Sequence, residues 1–141
     1  MTRAEQTAEQ LRVVIGAFVR RLRVESAAQP YTAAQIAVLH QLDEAGPMIT
    51  ADLARAELIK PQTMGSLVAE LEADGLVARR DDSSDGRRRL VSLTAAGKRL
   101  LADGRKARQT WLAHAVELHL DAAEQRALVE AMQLVRKLTA S

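Results

Sequence analysis

Apolar residues recur at spacings of three and four across residues 4–26: Leu11, Ile15, Phe18 and Leu22, with Val14 and Val19 alongside. That period places one apolar stripe on a helix. A helix this long and apolar at a chain end needs a partner to cover it. Pro30 and the small residues before it break the pattern. Thr32 with Gln35 three residues on has capping-box spacing, and Tyr31 and Ile36 fall where a hydrophobic staple would form. Ile36, Leu39 and Leu42 face inward, and Gly46 and Pro47 end the element.

Thr50 is placed to cap a short helix, with Asp52 complementing the dipole of its first turn. Leu53, Ala54 and Leu58 are expected on its inner side, and a turn over 57–60 follows. Pro61 suits a first helical position, where its missing N–H costs nothing. The next helix, 61–74, divides into two faces at about 100° per residue. Met64, Leu67, Val68 and Leu71 share one side; Gln62, Ser66, Ala69 and Ala73 share the other, with Thr63 and Glu70 at an edge. That outer face is small and hydrogen-bonding, whereas a solvated helix face is usually more charged. Gly65 costs about 1 kcal/mol against alanine in a helix interior, which points to close approach or tight packing there.

Gly75 ends this helix, with Leu76 as the hydrophobic contact after the cap. Residues 76–80 and 89–93 are short, β-branched and partly alternating, and they flank a run of turn formers, Asp81-Asp82-Ser83-Ser84-Asp85-Gly86. This is a β-hairpin. Helix resumes at Thr94 and runs to about His119, carrying Leu100, Leu101, Trp111, Leu112, Ala115 and Leu118, with Gly97 and Gly104 as places for a bend. Asp121 and Glu124 open a last helix whose stripe is Leu128, Met132, Val135 and Leu138. Apolar stripes at both chain ends fit helices that cover one another in a dimer.

The 141 residues fit one domain with a proper core. Aromatics are only 2%, and alanine and leucine favour helix packed on helix. With no cysteine, disulfides, thiolate metal sites and thiol redox switches are excluded. The N-terminus lacks a signal-peptide layout, and no apolar run approaches the roughly 20 residues of a membrane span. The expectation is a cytoplasmic protein without membrane contact. Net charge is only +2, but Arg79, Arg80, Arg87, Arg88 and Arg89 cluster in the hairpin against Asp81, Asp82 and Asp85. Arginine donates two parallel hydrogen bonds and so suits phosphates and base edges.

Helix, helix, turn, helix, hairpin is the order of a winged helix-turn-helix, whose second helix enters the DNA major groove while the hairpin reaches toward the minor groove. The stretch resembles the MarR family of bacterial transcription regulators. The matching residues are Leu53-Ala54, the run Leu71-Glu72-Ala73-Asp74-Gly75-Leu76-Val77, Asp85-x-Arg87 followed by Val91-Ser92-Leu93-Thr94-x-x-Gly97, and Tyr31-Thr32-x-x-Gln35. The resemblance covers the chain in length and element order and is sharpest over 49–97. It implies a mainly α fold with a small β-hairpin wing in one MarR-like domain, 1–141. Residues 31–97 form the winged helix-turn-helix lobe, and 1–30 with 98–141 form dimerisation helices carrying Leu11, Ile15, Phe18, Leu128, Met132 and Val135.

The function so implied is sequence-specific: a homodimeric repressor on a pseudo-palindromic operator of double-stranded DNA, released by a small anionic or aromatic effector. In the family the wing arginine matching Arg87 enters the minor groove and the aspartate matching Asp85 holds it. Arg88 and Arg89 are then phosphate contacts or strand-face residues. Gln62, Thr63 and Ser66 carry over as groove-facing, with Lys60 a phosphate contact; Pro61 stands near where relatives often have serine or threonine. His40, Trp111 and Arg12 are candidates to line an effector crevice, although each also suits core or surface.

Three other readings compete. An enzyme or metal site could use His114 and His119, but five residues set them about 140° apart on a helix, too divergent to share an ion. His-Glu-x-x-His, phosphate loops and nucleophile elbows are absent, so no enzyme, cofactor or metal is expected. The other two are an interaction protein that kept the fold without DNA binding, and a non-specific architectural DNA binder.

Overall fold

A computed structural model describes residues 1–25, 30–82 and 85–140, and of these the side chains of 82 and 85–87 are outside the description. The elements in order are α1 (Arg3–Glu25), α2 (Ala33–Ala45), β1 (Met48–Ile49), α3 (Thr50–Ala56), α4 (Pro61–Ala73), β2 (Val77–Asp82), β3 (Asp85–Leu93), α5 (Ala95–His119) and α6 (Ala122–Thr139). The fold is mainly helical with a small antiparallel sheet of order β1-β3-β2. The chain divides into two compact units, Ser26–Arg105 and Met1–Glu25 with Lys106–Ser141.

Within Ser26–Arg105 the core gathers most of the apolar positions that the periodicity marks, with Val38 buried in α2 where the pattern points to Ile36, and Ile36 only partly buried. Val38, Leu39 and Leu42 of α2 pack with Leu53 and Ala54 of α3, and with Met64, Val68 and Leu71 of α4. Leu76, Val77, Val91 and Leu101 close the cluster. Burying each large side chain is worth about 1.5–3 kcal/mol, so this cluster fixes where α4 lies. At α2 the capping box forms: the Gln35 N–H donates to Thr32 Oγ1 at 3.2 Å, and the Thr32 N–H donates to Gln35 Oε1 at 2.9 Å. Tyr31 and Ile36, the two positions expected to form a staple, each pack against the core.

The hairpin pairs over a longer span than the sequence suggests, from Val77↔Leu93 to Asp82↔Asp85, with an irregularity between Asp81 and Asp82. Residues 83 and 84, at the expected tip, lie outside the described residues. The sequence pattern does not mark β1, which adds a third strand through Met48↔Val91 and Ile49↔Leu90. That pairing also corrects the start of α3. Ile49, held extended by β3, is the N-cap and offers no side-chain bond, while Thr50 is already helical.

Thr94 links the hairpin to α5. Its Oγ1 donates to the Gly75 carbonyl at 2.7 Å and accepts from the Gly97 N–H at 3.1 Å. α5 runs on through Gly97 and Gly104, so neither ends a helix. Gly97 serves a close approach instead: a Cβ there would lie 2.4 Å from the Leu76 carbonyl oxygen.

The other unit is packed differently. Among its described residues none is buried, and α1 and α6 each hold no buried side chain. α1 begins with a capping box between Thr2 and Glu5, and α6 with one between Asp121 and Glu124. Arg21 lies 5.3 Å from the centre of the Trp111 ring and pairs with Glu25 at 2.9 Å. A groove of about 930 Å³ opens beside α1, lined by Leu11, Arg12 and Ile15 among others, and by Leu138 of α6.

Candidate nucleic-acid interface

α4 carries the clearest division between a packed face and a presented one. Met64, Val68 and Leu71 are buried and Leu67 packs beside them. Gln62, Thr63, Ser66, Ala69 and Ala73 are all exposed. Lys60 is the exposed N-cap and Pro61 occupies the first helical position. The Ser66 hydroxyl donates weakly to the Gln62 carbonyl at 3.3 Å, which leaves its oxygen able to accept from outside. Gly65 is not explained by packing within the chain, because a Cβ there would meet nothing within 4 Å.

Polar links hold the C-terminal half of this helix. The Tyr31 hydroxyl donates to Asp74 Oδ2 at 3.0 Å, and Gln35 Nε2 donates to Glu70 Oε2 at 2.8 Å. Both tie the start of α2 to α4. Partial burial, then the hydrogen bond and the charge of Asp74, push the Tyr31 phenol above its ordinary pKa of 10.0. From the other side, Arg79 Nε of β2 lies 3.6 Å from Glu72 Oε1, an ion pair longer than a hydrogen bond. Sequence reasoning missed these links because their partners lie on separate elements; only charge type hinted at them. Its buried inner face and tied tail set the orientation of α4, which turns Gln62, Thr63 and Ser66 outward.

In the hairpin, side chains alternate between faces. Arg79, Asp81 and Arg89 share one face; Arg80 and Arg88 fall on the other. Arg89 Nε lies 3.6 Å from Asp81 Oδ1, directly across the ladder, with both side chains mostly in solvent. A pair so exposed contributes little to stability, but it narrows the range of Arg89. Arg88 is exposed. The backbones of Asp85 and Arg87 lie in β3; their side chains, and the pairing expected between them, are outside the described residues.

The turn between α3 and α4 departs from expectation. Leu58 does not join the inner side of α3; it is 94% exposed, with φ of 54°. The neighbouring Ile59 packs against the core instead. The left-handed conformation costs a leucine roughly 1–2 kcal/mol.

The remaining sequence candidates are scattered. Leu11 and Val135 are half-buried, whereas Ile15, Phe18, Leu128 and Met132 are exposed, Phe18 and Met132 each by 43%. Arg12 borders the groove beside α1, Trp111 meets Arg21, and His40 is half-buried in α2. His114 and His119 are exposed, and among the described residues no group of three or more His, Cys, Asp or Glu could hold a metal. No helix among them is long and apolar enough to cross a membrane.

Comparison with known proteins meets this geometry. The MarR family model matches residues 30–88, the stretch from the start of α2 into the wing. An uncharacterized HTH-type transcriptional regulator of Mycobacterium bovis is 34% identical over 106 residues, 75% of this chain and 74% of the relative. The chain belongs to the MarR family. A crystal structure of a Pseudomonas aeruginosa protein, described as a transcriptional regulator, superposes with a TM-score of 0.84 at 34% identity, covering 100% of this chain and 99% of the other. MepR of S. aureus, in a mutant form bound to an oligodeoxyribonucleotide, shares the fold with a TM-score of 0.73 at 18% identity, covering 94% of this chain and 97% of that one. This MarR-family chain is thus a transcriptional regulator with a winged helix, and not an enzyme.

Proposed function

We propose that this MarR-family chain binds a pseudo-palindromic operator as a homodimer and represses transcription until a small anionic or aromatic effector releases it. The observation that carries this reading is the outer face of α4. A helix buried on one side and tied at its tail presents uncharged hydrogen-bonding groups, Gln62, Thr63 and Ser66, on the other. Such groups suit base edges, because amide and hydroxyl side chains donate and accept in the plane of a base pair. Lys60 at the helix start and Arg88 and Arg89 on the wing would meet phosphates, which position a protein without reading sequence. From the family resemblance, Arg87 would enter the minor groove with Asp85 beside it.

The homodimer reading is supported by the unburied stripes of α1 and α6. Leu11, Ile15, Phe18, Leu128, Met132 and Val135 would be covered by a second copy, with 1–30 and 98–141 forming the dimerisation lobe and 31–97 the DNA-binding lobe. The DNA-bound form of MepR is consistent with operator binding. The chain would act in the cytoplasm, where its operator lies. Hydroxyl-radical footprinting on genomic fragments tests the reading. Two protected patches one helical turn apart, roughly 34 Å, are expected. A single patch, or uniform protection along the fragment, would contradict it.

A further inference from the structure

Two helices of the winged unit end in the same hydrogen-bonded hook, closed by different residues. At the end of α4 the Leu76 N–H donates to the Leu71 carbonyl at 3.0 Å and the Gly75 N–H to the Glu72 carbonyl at 3.0 Å. The left-handed residue is Gly75, with φ of 76°. At the end of α3 the Ile59 N–H donates to the Ala54 carbonyl at 2.9 Å and the Leu58 N–H to the Arg55 carbonyl at 3.3 Å. Here the left-handed residue is Leu58. Glycine adopts this conformation without steric conflict, and leucine does not.

The side chain of Leu58 repays nothing inside the protein, since it stands 94% exposed while Ile59 makes the contact that closes the hook. A single exposed leucine is ordinary on a protein surface. A leucine exposed at a position whose backbone favours glycine is not, because strain and stranded apolar surface coincide in one residue. Strain of this kind marks a position held for another purpose.

We propose that Leu58 is a DNA contact that packs its side chain on an apolar surface of the duplex beside the bases met by the start of α4. This rests on the reading of α4 as the groove helix. Leu58 stands two residues before Lys60 and four before Gln62, so a duplex laid on those side chains lies against the turn as well. Exposed Lys60 lies two residues on, a cation that draws the phosphate backbone toward this turn, while exposed Arg55 on the other side is paired with Asp52. Apolar surface in the major groove belongs to the thymine 5-methyl group, and on the backbone to the deoxyribose carbons. Leu58 would lose water against either one, and at a methyl it would favour thymine.

The test compares Leu58→Gly, Leu58→Ala and the double variant Gln62→Ala/Thr63→Ala. Melting temperature is measured on the free proteins. Binding is measured by fluorescence anisotropy on a footprinted duplex, and on the same duplex with uracil in place of thymine. Leu58→Gly should melt higher than wild type, yet both Leu58 variants should bind about fivefold or more weakly, as loss of a largely buried leucine implies. If the contact is a methyl, wild type loses affinity on the uracil duplex and Leu58→Gly does not; if it is sugar, the Leu58 variants lose the same factor on both duplexes. Wild-type affinity in both Leu58 variants, with loss in the double variant, overturns the proposal and leaves the groove reading standing. Loss in Leu58→Gly alone also overturns it, since the backbone and not the side chain would then matter. Loss in none of the three overturns both.

Discussion

Gly97 sits in the first turn of α5, where a Cβ would lie 2.4 Å from the Leu76 carbonyl oxygen and 2.5 Å from Leu93 Cδ1. The oxygen is backbone and already accepts from the Thr94 N–H at 3.0 Å, so it has little freedom to give way. Gly97→Ala is expected to cost about 2 kcal/mol of stability, the scale of overpacking in a filled site, despite alanine's better helix propensity. Urea denaturation of the free protein measures this. At this scale the sequence was legible where the causes are local. Thr32 and Gln35 form the box that their spacing announces, because both partners sit on one turn. Thr50 does not cap, because a strand pairing more than forty residues away decides which residue stays extended. Leu58 reads as one more apolar position of α3, since nothing in the pattern tells an inner leucine from one held in the turn.

At the scale of elements, α4 depends on burial and on polar ties from α2 and β2, so its outer face is free of structural duty. Gly65 is the exception that tests this. A Cβ at that position meets nothing within 4 Å, and alanine should stabilise the free protein by up to about 1 kcal/mol through helix propensity alone. A fall in the midpoint of chemical denaturation for Gly65→Ala would show that the glycine serves packing or bending in the fold. The helices and their inner faces were legible because a 3.6-residue period repeats several times in each. The two-residue β1 was not, since it is too short to show a period and exists only by pairing with β3. The links Tyr31–Asp74 and Gln35–Glu70 were illegible for the same reason: two distant elements must first pack before either hydrogen bond can form.

At the scale of the whole molecule, one unit has a filled core, and the other leaves Phe18, Leu128 and Met132 partly open to water. The proposed homodimer resolves that contrast, and it gives the winged unit a second copy with which to span an operator. Two engaged copies also explain how an effector could act, since a small change in their separation weakens both half-sites at once. The central claim is that the outer face of α4 reads a DNA sequence. The most direct measurement is the affinity of the full chain for a footprinted duplex and for the same duplex with its base order shuffled, by fluorescence anisotropy across a series of salt concentrations. Binding to the footprinted duplex should exceed the shuffled one by about a thousandfold or more, and fall steeply as salt rises while phosphate contacts release counterions. Gln62→Ala/Thr63→Ala should erase most of that preference and keep the salt slope, because those side chains meet bases and not phosphates. Equal affinity for the two duplexes in the wild-type chain, or no binding to either, would contradict the account.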